Sequence, residues 1–164
     1  MELLNRLNTW YQMHCDGSWE HMFGINLETM DNPGWELVVD LADTLLEDVE
    51  FQTIQRGDPE DSEGSWIHCF TEKSRYIGRG GIGDLDEIIT IFLDWADRCT
   101  DTSPYDALVD DLMYQYQTTR DIEELRRIFR RIHDEIPNEH PRKRDLIKQF
   151  NKIWDDVIDE AYNT

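Results

Sequence analysis

The chain has 164 residues, enough for one domain or a domain with an appendage, and carries six each of Trp, Tyr and Phe. That aromatic content excludes a disordered chain, and no run approaches the ~18 consecutive apolar residues that span a bilayer. Thirty-six acids against 16 bases leave a net charge of −20, a field that repels nucleic acid and anionic membrane and attracts basic partners by fast, salt-sensitive association.

The amino terminus, MELLNRLNTW, has neither a basic n-region nor a continuous apolar run, so no signal peptide is expected. Cys15, Cys69 and Cys99 are odd in number and lack CxxC spacing, which predicts buried free thiols in a reducing cytoplasm. Leu3, Leu4, Leu7, Trp10, Tyr11 and Met13 sit near helical spacing and predict an amphipathic helix over 2–14. Asp16-Gly17-Ser18 ends it. Phe23, Ile25 and Leu27 then alternate with Asn26 and Glu28, the period of a strand with one face in the core. Asp31-Asn32-Pro33-Gly34 predicts a type II turn, with Gly34 at the φ > 0 position. Trp35, Leu37, Val39 and Leu41 resume the alternation, giving a hairpin with Trp19 and Trp35 near its ends as core anchors.

Val49, Phe51 and Thr53 predict a third strand, and Trp66 to Phe70 a fourth, across a polar loop bearing Asp58, Glu60, Asp61 and Glu63. Tyr76-Ile77 suggests a short fifth. Gly78-Arg-Gly-Gly-Ile-Gly83 lacks the Lys-Ser/Thr of a phosphate loop and is read as a flexible turn. Asp84 with Glu87 three residues on predicts a capping box, opening a helix from Leu85 to about Arg98 that packs across the sheet. Ser103-Pro104 starts a second region of three helices. Their stripes are Tyr105 to Tyr116; Ile122, Leu125, Phe129, Ile132 and Ile136; and Leu146 to Ala161. Thr118 or Thr119 is the expected cap of the second, and Pro141 the start of the third. The fold class is α+β: an antiparallel sheet of four to five strands flanked by an N-terminal helix and a following helix, with a C-terminal three-helix region. The expected domains are 1–101 and 102–164. The first holds 22 acids and six bases, net −16; the second holds 14 and ten, net −4.

Trp19-Glu20, Gly24, Leu27-Glu28-Thr29 and Asp31-Asn32-Pro33-Gly34-Trp35 resemble the immunity protein 53 family of bacterial polymorphic toxin systems. Trp10-Tyr11, Cys15-Asp16-Gly17 and Phe92-Leu93-Asp94-Trp95-Ala96 fit the same pattern, so the resemblance covers about residues 1 to 100. Met30 departs from it, standing where Leu is expected, and the helices after Thr100 lie outside it. The resemblance implies an α+β inhibitor of a toxin with no catalytic residues. Trp19, Glu20, Gly24, Asn32, Pro33, Gly34, Trp35, Asp94 and Trp95 carry its motif and are given structural roles.

Other chemistries fit poorly. His14, Cys15, His21, His68 and Cys69 are zinc-ligand types, yet His68 and Cys69 as strand neighbours point to opposite faces. Glu20, Glu28, Glu36 and Asp40 offer carboxylate pairs, but such pairs arise by chance in a chain this acidic. Arg126-Arg127, Arg130-Arg131 and Arg142-Lys143-Arg144 are basic clusters flanked by acids, read as a solvated helix face rather than a nucleic-acid patch. No catalytic residue, cofactor, metal, nucleic acid or membrane is expected. The expected partner is a cognate toxin domain with a basic surface, met by Asp58, Glu60, Asp61 and Glu63 or by Glu28, Glu36 and Asp40. Self-association stays open. The alternative is an acidic DNA-mimicking or adaptor protein that binds a host or phage defence complex.

Overall fold

The computed structural model describes residues 2–60 and 64–162, with the side chain of Tyr162 left out; Asp61 and Glu63 lie outside the described residues. The chain divides into two compact units, Met1–Thr100 and Asp101–Thr164. In the first, α1 (Glu2–His14) and the short α2 (Trp19–Met22) precede β1 (Ile25–Met30) and β2 (Gly34–Asp40). Then come β3 (Ile54–Arg56), β4 (Ile67–Thr71), β5 (Arg75–Gly81) and α3 (Leu85–Cys99). The five strands form one antiparallel sheet in the order β1-β2-β5-β4-β3. The fold is therefore α+β.

β5 is the middle strand, flanked by β2 and β4, and α3 buries Ile88, Ile89, Phe92, Leu93, Trp95 and Ala96 in a core with Leu37, Val39, Cys69 and Tyr76. Trp10 of α1 stands edge-on to Phe92 and to Trp19 in the same core. Trp19 is 2% exposed, and its indole N–H donates to Ala42 O at 2.9 Å. It anchors from α2, however, and Trp35 is only half-buried, so one tryptophan of the expected pair carries the burial.

Several expectations are corrected. The turn occupies residues 31–33, and Gly34 begins β2 opposite Met30. Gly34 is required by close approach instead of by φ: a Cβ there would lie 2.3 Å from Gly80 O. Leu27 is exposed, because β1 is an edge strand whose residues Asn26 to Thr29 all reach solvent. Residues 49–53 are not a strand; Phe51 is buried there as a loop plug against Tyr76 and Trp95, and β3 starts at Ile54. The glycine run is no flexible turn. Gly78, Gly80 and Gly81 lie in β5, where a Cβ on Gly78 would come 3.2 Å from Ile88 Cβ and one on Gly80 3.0 Å from Asp84 Cβ. Missing side chains on the central strand let α3 settle close to the sheet.

In the second unit, Ser103–Tyr105 form a 3₁₀ turn, followed by α4 (Asp106–Thr118), α5 (Ile122–Glu135) and α6 (Lys143–Tyr162). Their core contains Val109, Leu112, Tyr116, Leu125, Ile128, Ile132, Ile136, Leu146, Phe150 and Val157. Ile128 takes the inward place expected of Phe129, which is partly exposed. The cap of α5 is Asp121, whose carboxylate accepts from the Glu124 N–H at 2.8 Å, in place of either threonine. Lys143 is buried, and its ammonium donates to His133 O, Ile136 O and Asn138 Oδ1, closing the carbonyl end of α5.

Candidate functional site

Three connections converge at one end of the sheet: the 31–33 turn, the segment before β4, and residues 82–84 between β5 and α3. Asn32, Pro33, Pro59, Ser65, Trp66 and Ile82 surround a pocket of about 230 Å³ with Asp84 at its side. Asn32 Nδ2 donates to Pro59 O, tying the turn to the acidic loop. The Trp35 indole N–H donates to Ile82 O at 3.1 Å and so pins the loop that presents Ile82, which is 69% exposed.

Asp84 is the organising residue here. Its side chain caps no helix amide; its buried carboxylate accepts from Ser65 Oγ (2.6 Å), Trp66 N–H (3.0 Å) and Gly81 N–H (3.1 Å). The capping box fails for a second reason, since Glu87 makes a two-pronged pair with Arg56 at 2.7 and 2.8 Å. The Arg56 hydrogen bonds hold the Glu87 carboxyl below its ordinary range. The pocket's polar groups are thus engaged in holding loops together. Around it Asp31, Asp58 and Glu60 are exposed, and Asp58 accepts from the Glu60 N–H at 2.9 Å. Exposed carboxylates and the exposed Ile82 thus lie on the loops at this end of the sheet.

The second acidic candidate fares differently. Glu28 and Glu36 stand opposite each other across β1 and β2, but Glu36 pairs with Arg79 and Asp40 with Arg75. Asp40 also accepts from the Gly24 N–H at 3.0 Å. The face they share with Val38, Ile77, His68 and Phe70 is a mixed surface of ion pairs and half-buried apolar groups; Arg79 lies 5.8 Å from the Phe70 ring. Glu28 alone of the three acids has no arginine partner among the described residues. The alternation of Arg75, Ile77 and Arg79 was the available signal for these pairs, but the glycines around it read as a turn.

The remaining motif residues build the scaffold. Glu20 accepts from the Asp16 and Gly17 amides, while Asp16 accepts from those of Ser18 and Trp19. Arg6 of α1 bridges Asp94 and Asp97 of α3 at 2.9 and 2.7 Å, and Trp95 is buried. His14 is buried with Nδ1 against Trp10 O, and among the described residues no group of three or more His, Cys, Asp or Glu could hold a metal ion. In the second unit Arg126, Arg131 and Arg142 pair with Glu123, Glu135 and Asp110.

The sequence model of the immunity protein 53 family matches residues 4–97. The chain belongs to that family. The match to immunity protein 53 runs from α1 nearly to the end of α3, spanning the whole sheet and the three converging loops, and stops before the second unit. No curated protein and no solved structure matches the chain. No helix among the described residues is long and apolar enough to cross a membrane.

Proposed function

We propose that this protein binds a cognate toxin domain and neutralises it by occlusion, without chemistry of its own. The observation that carries the reading is the immunity protein 53 match over the residues that build the acidic loop end. Asp31, Asp58 and Glu60 meet basic side chains of the toxin, with Asp61 and Glu63 of the same loop adding to that charge. Ile82, held out by Trp35, supplies an apolar anchor at the centre. Carboxylates set on a rigid platform can occupy Lys and Arg that a toxin uses for an anionic substrate. Of the three free cysteines only Cys69 is buried, Cys99 is half-buried and Cys15 is exposed, against the expected burial of all three. Free thiols support action in a reducing compartment, the cytoplasm.

The test is capture of the product of the adjacent gene as the candidate toxin, followed by co-expression. A stoichiometric complex and relief of toxicity are expected. Neutralising Asp31, Asp58 and Glu60 to Asn or Gln should slow association most at low salt, where long-range attraction is least screened. Absence of any complex, or toxicity unchanged by the protein, overturns the reading.

A further inference from the structure

The sheet has one long edge that nothing among the described residues guards. β1 pairs with β2 over all six of its residues, from Ile25 opposite Val39 to Met30 opposite Gly34, with no bulge. The Asp40 N–H donates to Gly24 O at 3.0 Å, which sets the phase of the ladder. Hydrogen-bonded and non-hydrogen-bonded pairs alternate between antiparallel strands. Asn26, Glu28 and Met30 therefore turn their N–H and C=O groups toward β2, while Ile25, Leu27 and Thr29 turn theirs to the open side. Leu27 is 40% exposed, and Asn26, Glu28 and Thr29 are exposed as well.

Natural edge strands are kept from pairing by Lys, Pro, bulges or brevity. The opposite edge, β3, is only three residues long. β1, with the sequence INLETM, has no Lys, Pro or bulge, and its one charge, Glu28, discourages an acidic strand but not a basic one. An unguarded edge invites either a second copy or a partner strand, and charge separates the two. A second copy would bring two chains of net charge −20 together, whereas a basic strand is drawn to the same field.

We propose that β1 accepts an extended basic segment of the toxin domain as a sixth strand; this rests on the toxin-binding reading above. The added backbone pairs with the free groups of Ile25, Leu27 and Thr29. A partner residue opposite Leu27 shares its face and covers it with an apolar side chain. The partner residues beside it lie on the other face, where Lys or Arg meets Glu28, the carboxylate there with no arginine of its own among the described residues. Strand addition takes affinity from main-chain hydrogen bonds and specificity from alternating side chains, as this register requires.

The experiment uses the full chain, alone and bound to the toxin domain captured above, with amide exchange followed residue by residue. In the free chain the Leu27 and Thr29 amides exchange quickly and those of Asn26 and Glu28 slowly. On binding, Leu27 and Thr29 should slow by roughly tenfold or more, leaving no alternation. Leu27→Lys, which places a charge on the edge, and Leu27→Pro, which removes an N–H that β2 does not use, should each weaken binding by roughly tenfold or more. Ile54→Lys on the opposite edge is the control, and thermal melts check folding of every variant. If wild type binds but a folded Leu27→Lys binds equally well and the Leu27 amide stays fast, the strand proposal falls while the toxin reading stands. If wild type binds no toxin, both fall. Should sedimentation show a dimer of the chain alone that Leu27→Lys dissolves, the occupant is a second copy and the proposal is overturned.

Discussion

Gly34 shows how one position can be read correctly for the wrong reason. It tolerates no side chain because Gly80 O would sit 2.3 Å from a Cβ, on the neighbouring central strand. Gly34→Ala should therefore destabilise about as much as overpacking a core does, ~1–3 kcal/mol, and Gly34→Val more. A need for φ > 0 would penalise both but would spare Asn, so Gly34→Asn melting like wild type would contradict the steric account. Cys69 and Tyr76 give a pH dependence. Burial pushes the Cys69 thiol and the Tyr76 phenol up, and the Tyr76 hydroxyl donates to Ile88 O at 2.9 Å. A group with a raised folded value stabilises fully below its unfolded value, and that contribution is lost as pH rises through the folded one. Stability should begin to fall near the ordinary thiol value of ~8.5. Cys69→Ala should delay the onset toward ~10, where the phenol takes over. Denaturant midpoints measured from neutral to alkaline pH test it; identical onsets for the two proteins would remove Cys69 from the account.

Asp84 is where three elements meet. One buried carboxylate holds the residues before β4, the end of β5 and the start of α3. Asp84→Ala leaves two backbone amides and a hydroxyl without their acceptor, a loss of about 3 kcal/mol for hydrogen bonds to a charged group. Asp84→Asn, which keeps the shape but turns one acceptor into a donor, should recover only part of this. Both effects are read from chemical denaturation. A loss confined to the rim would appear as weaker partner binding with an unchanged midpoint, and would show that Asp84 shapes the loops without holding α3 to the sheet. The glycines of β5 belong to the same joint, since Gly80 lets Asp84 and Ile88 approach the strand.

For the whole molecule, the two units have separate apolar clusters with no residue in common. The family match and the loop end lie wholly within the first. A chain ending at Thr100 is expected to melt cooperatively with a mixed helix-and-strand circular dichroism spectrum and to keep its toxin affinity. Loss of binding by a folded truncation would assign the second unit a direct part in recognition. An unfolded truncation would mean that the first core depends on the second unit. The charge asymmetry points the same way, with net −16 up to Asp101 and −4 beyond it.

Local pattern by itself determined a good deal of this protein. Helical spacing placed α1, α3 and the three helices of the second unit, and the alternation of Trp35, Leu37 and Val39 placed β2, because each face can be recognised from neighbours within one or two turns. Trp-Glu and Pro-Gly-Trp carried the family. Tertiary structure decided the rest. Only Tyr76-Ile77 of the central β5 reads as strand, and its second half reads as a turn, since Gly78, Gly80 and Gly81 gain their meaning from an α3 packed on them. Glu36 and Asp40 read as free acids until the sheet order set Arg79 and Arg75 beside them, 43 and 35 residues away. Leu27 shows the limit most plainly: its alternation matches that of Leu37, and only the strand order leaves one on an open edge and buries the other at the centre. Periodicity reports which residues share a face, whereas burial depends on what distant chain segments cover that face.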